Sequence, residues 1–393
     1  MDDELNRSVE DVVIEVLVHL PVKSLMRFRC VSKSWWALIR SPDFATMHHH
    51  RRGSKEIMSE TCSLMLKRFL VSGKTGDDEL YLGTHALSFH DPYSPELSSD
   101  DDHVFVPLGD VYSPEFLEIY GPCNGLVVLV RADSFIWCNP TLREFKVLPR
   151  NTIPVPKGYV CRLEEFGFGF DADTNSYKFV SIVKVMEQPT HYHTFSWEED
   201  SYVRTDLYDS STNSWRIIDT ELPDFGCMPE CNLFFNGAQH WMVSDHHVDK
   251  ILCFDVGREV LKWILHPPSL CDYRHDGKLG MALVSLKQSL AILRYSYESD
   301  SEDCIDIWLL KEYGVSESWT KQFVIGPYPT GHDILARCSW QDQWILFESD
   351  GQLVAYAIHA NQIKTFQFHG HATSFQAVIF RESCVSLNQV LLI

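Results

Sequence analysis

Between Ser8 and Leu20 the apolar positions recur at helical spacing: Val9, Val12, Val13, Val16, Leu17 and Leu20 fall on one side of a predicted helix. Ser8 stands where a cap is needed. Asp11, three residues on, occupies the position that a capping box fills with Glu or Gln. Pro21 interrupts the run, and Leu25, Phe28 and Val31 form a second series. Ser32 can cap a third helix carrying Trp35, Trp36, Leu38 and Ile39, and Ser41-Pro42 is a further start signal. Residues 5–50 therefore read as a small all-α domain of three helices, with residues 51–60 as a linker.

From about Thr61 the texture changes to short apolar runs separated by turns. Cys62-Leu66, Gly125-Val130, Tyr177-Val185, Leu233-Phe235, Ile251-Phe254, Leu290-Tyr295, Ile305-Leu310 and Trp344-Glu348 have strand length and strand composition. No long amphipathic helix separates them, so residues 61–393 are expected to be all-β and antiparallel. A degenerate repeat runs through this part: a strand ends in Asp or Asn, a polar turn follows, and an aromatic opens the return strand. Asn139 to Phe145, Asp171 to Tyr177 and Asp209 to Trp215 carry it clearly; Asp255 to Val260 and Lys311 to Trp319 carry it loosely. Asp and Asn suit such turns because their side chains bond nearby backbone amides. The intervals fit four-stranded blades, so a β-propeller of about six blades is expected, with a pair of β-sandwiches as the alternative.

A unit of ~45 residues buries too little surface to be comfortable alone. Trp35 and Trp36 are adjacent and cannot both face one side of a helix. Two readings stay open on pattern alone: helices that complete their burial against a partner protein, and helices that pack on the C-terminal domain. Charge separates the two parts. The formal net charge of the 393 residues is -20; residues 1–52 carry 8 Lys+Arg against 7 Asp+Glu, so the remainder carries -21. That acidity disfavours a nucleic-acid partner and favours a basic protein, with simple solubility as the bland reading. No run approaches the ~18 apolar residues of a membrane span. The acidic start lacks the basic and apolar regions of an export signal, so the 12 Cys are expected as thiols in the cytoplasm or nucleus.

The residues Leu20-Pro21-Val22-Lys23-Ser24-Leu25-Met26-Arg27-Phe28-Arg29-Cys30-Val31-Ser32-Lys33-Ser34-Trp35 resemble the F-box signature of plant F-box proteins, and Ser41-Pro42-Asp43-Phe44 resembles the segment that closes it. The resemblance implies binding to a Skp-type adaptor and, through it, to cullin and RING subunits of a ubiquitin ligase. It makes Val13, Leu17, Leu20, Pro21, Leu25, Cys30, Val31 and Trp35 the expected adaptor-facing residues. One departure is the start: the family commonly opens with Leu-Pro-Glu, where this chain has Arg7-Ser8-Val9-Glu10. Further on, Gly121 to Leu126, Cys138 to Thr141 with Phe145 to Pro149, Gly167 to Asp171 with Tyr177-Lys178, and Ile305 to Trp308 through Pro327 are similar to the F-box-associated, kelch-like region of the same proteins. The texture is most similar to S-locus F-box and S-locus F-box-like proteins. In that family the pollen-side protein recognises the S-locus ribonuclease of the pistil, a secreted and often basic protein.

Catalytic chemistry is hard to find. There is no G-x-S-x-G elbow, P-loop or H-E-x-x-H helix. Gly167-x-Gly169 lacks a third glycine and a following helix. Cys227, Cys231 and His240 lack a second ligand pair, so no metal or cofactor is expected. His48-His49-His50 reads as a solvated helix end, and His246-His247 and His369-x-His371 as loop or strand ends. The acidic clusters at residues 77–79, 100–102, 198–200 and 300–303 read as loops, either solvated tips or part of a substrate-facing rim. The function expected is a non-catalytic substrate-recognition subunit of a Skp-cullin-F-box ligase, aimed at S-locus ribonucleases. The alternatives are an F-box receptor for an unrelated signalling or stress target, and a binding protein without ligase coupling.

Overall fold

The computed structural model describes residues 11–41, 43–48, 62–71, 78–91, 94–97, 102–103, 117–131, 134–188, 201–220, 222–223, 225–245, 248–267, 270, 279–296, 304–326, 334–340, 342–349, 351–360, 362–369 and 376–387. Helices come first: α1 over residues 11–17, α2 (Val22–Phe28), α3 (Lys33–Arg40) and α4 over residues 43–48. The capping signals at Ser32 and Ser41 act as expected. Ser32 Oγ accepts from Trp35 N at 3.1 Å, and Ser41 Oγ accepts from Phe44 N at 3.2 Å. No helix among the described residues is long and apolar enough to cross a membrane.

Strands follow without further long helices: β1 (Cys62–Val71), β2 (Asp78–Asp91), β3 (Ser94–Leu97) and β4 (Asp102–His103). Five four-stranded antiparallel sheets come next. These are β5 (Leu117–Cys123), β6 (Leu126–Arg131), β7 (Ser134–Asn139) and β8 (Glu144–Val147); β9 (Tyr159–Asp171), β10 (Ser176–Glu187), β11 (Ser201–Asp209) and β12 (Ser214–Ile218); β13 (Gly226–Phe235), β14 (Ala238–Asp245), β15 (Val248–Asp255) and β16 (Val260–Ile264); β17 (Leu279–Leu286), β18 (Ser289–Ser296), β19 (Ile305–Leu310) and β20 (Trp319–Ile325); β21 (Ile334–Trp340), β22 (Trp344–Ser349), β23 (Gln352–Ala357) and β24 (Ile363–His369). The last strand, β25 (Gln376–Phe380), returns to pair with β1. Successive first strands pack on one another from β5 through β9, β13, β17 and β21 to β25, and β25 packs on β5. The sheets thus form a closed β-propeller.

The expectation of about six blades is corrected to five. The remaining position in the ring holds a composite sheet in the order β25-β1-β2-β3, with β4 also pairing β2. Its innermost strand comes from the far end of the chain, which no local pattern announces. Gln376 ties this strand to β5: its Oε1 accepts from Ile119 N at 2.8 Å. The acidic cluster at residues 77–79 also departs from expectation, because Asp78 and Glu79 open β2, opposite Val71 and Leu70.

The repeated turns carry the predicted chemistry. Asn139, Asp171, Asp209 and Asp255 each accept a backbone N–H two or three residues on, at 2.9, 3.0, 2.8 and 2.9 Å. Arg143, Asn175, Asn213 and Glu259 then take positive φ before the return strand. The aromatics that follow lock blade to blade. Tyr177 meets Trp137 of the preceding blade edge-on at 4.8 Å. Trp215 Nε1 donates to Pro149 O at 2.8 Å, and Trp319 Nε1 donates to Leu265 O at 2.9 Å, each just past the preceding blade's last strand.

His240, once a candidate metal ligand, belongs to such a joint. It is fully buried on β14, Nδ1–H donating to Leu233 O at 3.2 Å and Nε2 accepting from Tyr313 O–H at 2.8 Å. The Cys227 and Cys231 side chains lie outside the described residues. Burial pushes the His240 imidazole down to about 4. The unfolded chain takes up this proton near the ordinary value of 6.5, so stability falls as pH drops from about 6.5 to about 4. The loss expected from this group is about 2–3 kcal/mol. Burial, and then nearby Glu118, push the Glu165 carboxyl well above its ordinary range, so this group slopes the opposite way, losing stability as pH rises above that range. Denaturant midpoints of the wild type and His240→Gln across this window isolate the histidine: the variant should show the shallower fall on acidification.

Candidate functional site: the helical face and its seat on the propeller

The helices close on a core of Leu17, Val18, Val22, Leu25, Ile39, Phe44 and Ala45, and that core continues into the propeller through Cys384, with Leu142 and Val385 packed against it. Of the two readings left open by pattern, packing on the C-terminal domain is therefore real, yet it leaves much apolar surface uncovered. Val12, Val16 and Val31 are 61%, 57% and 61% exposed, and Trp36 is 47% exposed.

The seat is built from two sequence motifs. Asn139, fully buried at the end of β7, donates through Nδ2 to Ser383 O at 3.1 Å and Val385 O at 2.7 Å, while its Oδ1 holds the turn that presents Leu142. Glu144 accepts from Ser386 Oγ at 2.9 Å and Leu387 N at 2.8 Å. Gly125 lies beneath the same segment with φ +76; a Cβ there would meet Arg381 O at 2.3 Å and Ser383 Cβ at 2.5 Å. Only glycine combines that conformation with so close a backbone. The C-terminal segment 381–387 is thus clamped between these turns and the helices. Arg29 and Arg40 border the junction, and Arg29 Nε and Nη2 and Arg40 Nε are buried without hydrogen-bond partners among the described residues. Burial, and then the neighbouring Arg40, lower the Arg29 guanidinium's affinity for its proton.

The eight expected adaptor-facing residues divide. Pro21, Cys30 and Val31 are exposed; Val13, Leu20 and Trp35 are half-buried; Leu17 and Leu25 are buried in the helical core. The helix α1 explains the division: Val13 and Leu17 point inward with Val18, while Val12 and Val16, one residue earlier in each pair, form an outward stripe. Trp35 meets Phe28 edge-on at 5.6 Å, and Trp36 turns outward under the Arg40 guanidinium at 4.5 Å. Sequence reasoning missed Val12, Val16 and Trp36 as exposed groups, although the helical spacing that separates them was available. The His48 reading is corrected: this side chain is buried, with Nε2 3.0 Å from Leu20 O, because that carbonyl lies past the end of α1 and lacks a helical partner. His49, His50, residues 7–10, the linker, His246-His247, His371 and the acidic clusters at 198–200 and 300–303 lie outside the described residues.

A small helical module seated by its own core on a propeller, with an unburied apolar stripe, is the form of a docking subunit. The F-box domain family matches residues 9–46, and the F-box associated beta propeller domain family matches residues 104–390. The chain belongs to the F-box-associated β-propeller family. Its relatives include F-box protein CPR1 of Arabidopsis thaliana, 25% identical over 80% of this chain and 72% of that one. The F-box/kelch-repeat protein At3g23880 of the same plant is 24% identical over 79% of this chain and 77% of that one. F-box protein At3g07870 is 25% identical over 94% and 89%. F-box proteins are substrate adaptors of Skp-cullin-F-box ligases, so the helical domain implies a Skp-type adaptor on one side and a substrate on the other.

Proposed function

We propose that this chain is the non-catalytic substrate receptor of a Skp-cullin-F-box ubiquitin ligase, docking its adaptor through the outward face of the helices and holding a protein substrate on the propeller. Val12, Val16 and Val31 carry this reading: a folded helical unit leaves them in water, and a partner would cover them. Titration of a plant Skp-type adaptor onto the full chain tests it. Val16→Asp combined with Val31→Asp should weaken binding at least ~10-fold, about 1.4 kcal/mol, with the unfolding midpoint unchanged. Wild-type chain that ignores the adaptor would leave the reading without support and favour a binding protein uncoupled from the ligase.

For the substrate, the -21 carried beyond residue 52 favours a basic protein. The resemblance to S-locus F-box proteins makes a secreted basic ribonuclease the first target to try, with the cytoplasm as the compartment of capture. Immobilised chain mixed with style ribonucleases at low salt should retain one of them. Failure there returns the substrate to unrelated signalling or stress targets and leaves adaptor docking untouched.

A further inference from the structure

The Asn139 turn, the Gly125 turn and the C-terminal segment define one end of the ring, where the F-box sits. Strands β9, β10 and β11 reach the opposite end at Tyr159, Glu187 and Ser201. Towards that end, between the first and second four-stranded blades, lies a cavity of about 620 Å³. Phe135 of the first blade, Leu163 and Val183 of the second, and Ile153 and Val155 of the connection between them line it. Its size and apolar walls fit a molecule of one or two rings.

The polar groups decide which molecule. Arg204 grips Asp206 with two bonds of 2.8 Å, Nη1 donates to Pro154 O, and Asn151 Nδ2 donates to Asp206 at 2.7 Å. This cluster is internally satisfied and electrically neutral, so it props that connection and offers a ligand no free charge. Two groups remain. Ser181 lines the cavity at 1% exposure, and its Oγ has no hydrogen-bond partner among the described residues. Buried hydroxyls are rarely left so. Arg150 lines the same cavity, is exposed, and makes no ion pair among the described residues, whereas Arg162 beside it is engaged by Glu164 at 2.7 Å. A cation unpaired among the described residues, in a chain of net charge -20, is a local reversal of sign.

We infer that this cavity is a binding site for an amphipathic carboxylate, its apolar body between Phe135, Leu163 and Val183, its carboxylate on Arg150, and a polar atom of the body reaching Ser181. The same chemistry is offered by a free aromatic acid and by the C-terminal apolar residue of a polypeptide. The site does not depend on ligase coupling, so adaptor binding serves as the control for a folded chain.

Isothermal titration of the full chain with 2-naphthoate and with neutral 2-naphthamide tests the free-acid arm. The peptide Gly-Leu-Phe, with a free or an amidated C-terminus, tests the polypeptide arm. In the arm that matches the natural source the carboxylate form should bind at least ~10-fold more tightly than its amide. Arg150→Glu, on an exposed side chain, should erase that preference, and Val183→Trp should fill the cavity and abolish binding while adaptor binding persists. Equal affinity for acid and amide, a preference that survives Arg150→Glu, or no binding in either arm would overturn the site.

Discussion

Replacing Lys178 by methionine is expected to cost the fold about 3–5 kcal/mol, the usual consequence of removing one partner from a buried ionic cluster. Lys178 Nζ lies 2.7 Å from Asp171 Oδ2 and 2.8 Å from Glu259 Oε1, and its side chain is 4% exposed. Glu259 sits in a turn of the next blade and also takes Arg216, so one ammonium joins two blades. Burial by itself would raise the Asp171 carboxyl; hydrogen bonds from Lys178 and then Thr174 hold it below its ordinary range. Burial likewise opposes Glu259, and Arg216 and Lys178 bring it down. Both carboxylates therefore contribute stability that is present above their unfolded range and lost as pH falls through their depressed folded values. Without Lys178 the buried Asp171 carboxylate loses its counter-ion while Glu259 keeps Arg216, and acidification should relieve the variant. Guanidinium unfolding at pH 7 and pH 4 reads both effects: a large gap between wild type and variant at pH 7 that narrows at pH 4. A gap under about 1 kcal/mol at pH 7 would show that apolar packing alone joins these blades.

Asn139→Leu should lose about 2–4 kcal/mol, because the carbonyls of Ser383 and Val385 and the amides of Thr141 and Leu142 all lose their partner at once. The more telling readout is spatial. Leu142, Cys384 and Val385 floor the F-box core, so hydrogen exchange should quicken in the helices as well as in segment 381–387. Quickening confined to the turn would mean that the F-box keeps its seat without this asparagine.

The sequence made the local devices legible. Ser32 and Ser41 cap as their types require, and the Asn139, Asp171, Asp209 and Asp255 turns repeat because an Asx side chain and a positive-φ residue make the same corner each time. What escaped were pairings between distant positions. Nothing near Lys178 announces Glu259, and nothing in residues 381–387 announces a clamp beneath an asparagine far upstream. The blade count failed for the same reason, since β25 completes a sheet begun by β1. On the docking face the period of α1 was visible, but which of its two apolar stripes turned inward depended on the seat. His48 was misjudged because its partner, the Leu20 carbonyl, is an accident of where α1 ends.

The pairing of β25 with β1 ties the two halves of the fold to one segment. The F-box precedes the propeller in the sequence, yet both the closed ring and the floor of the F-box core depend on β25 and the segment after it. A chain cut short before Gln376 would keep every signature residue of the F-box and lack a finished structure at either end. One short stretch, residues 376–387, therefore closes the ring and floors the F-box core together. Appending residues 376–387 as a separate peptide to a chain ending at residue 375 should restore protection in the helices and in β1 together, not one without the other.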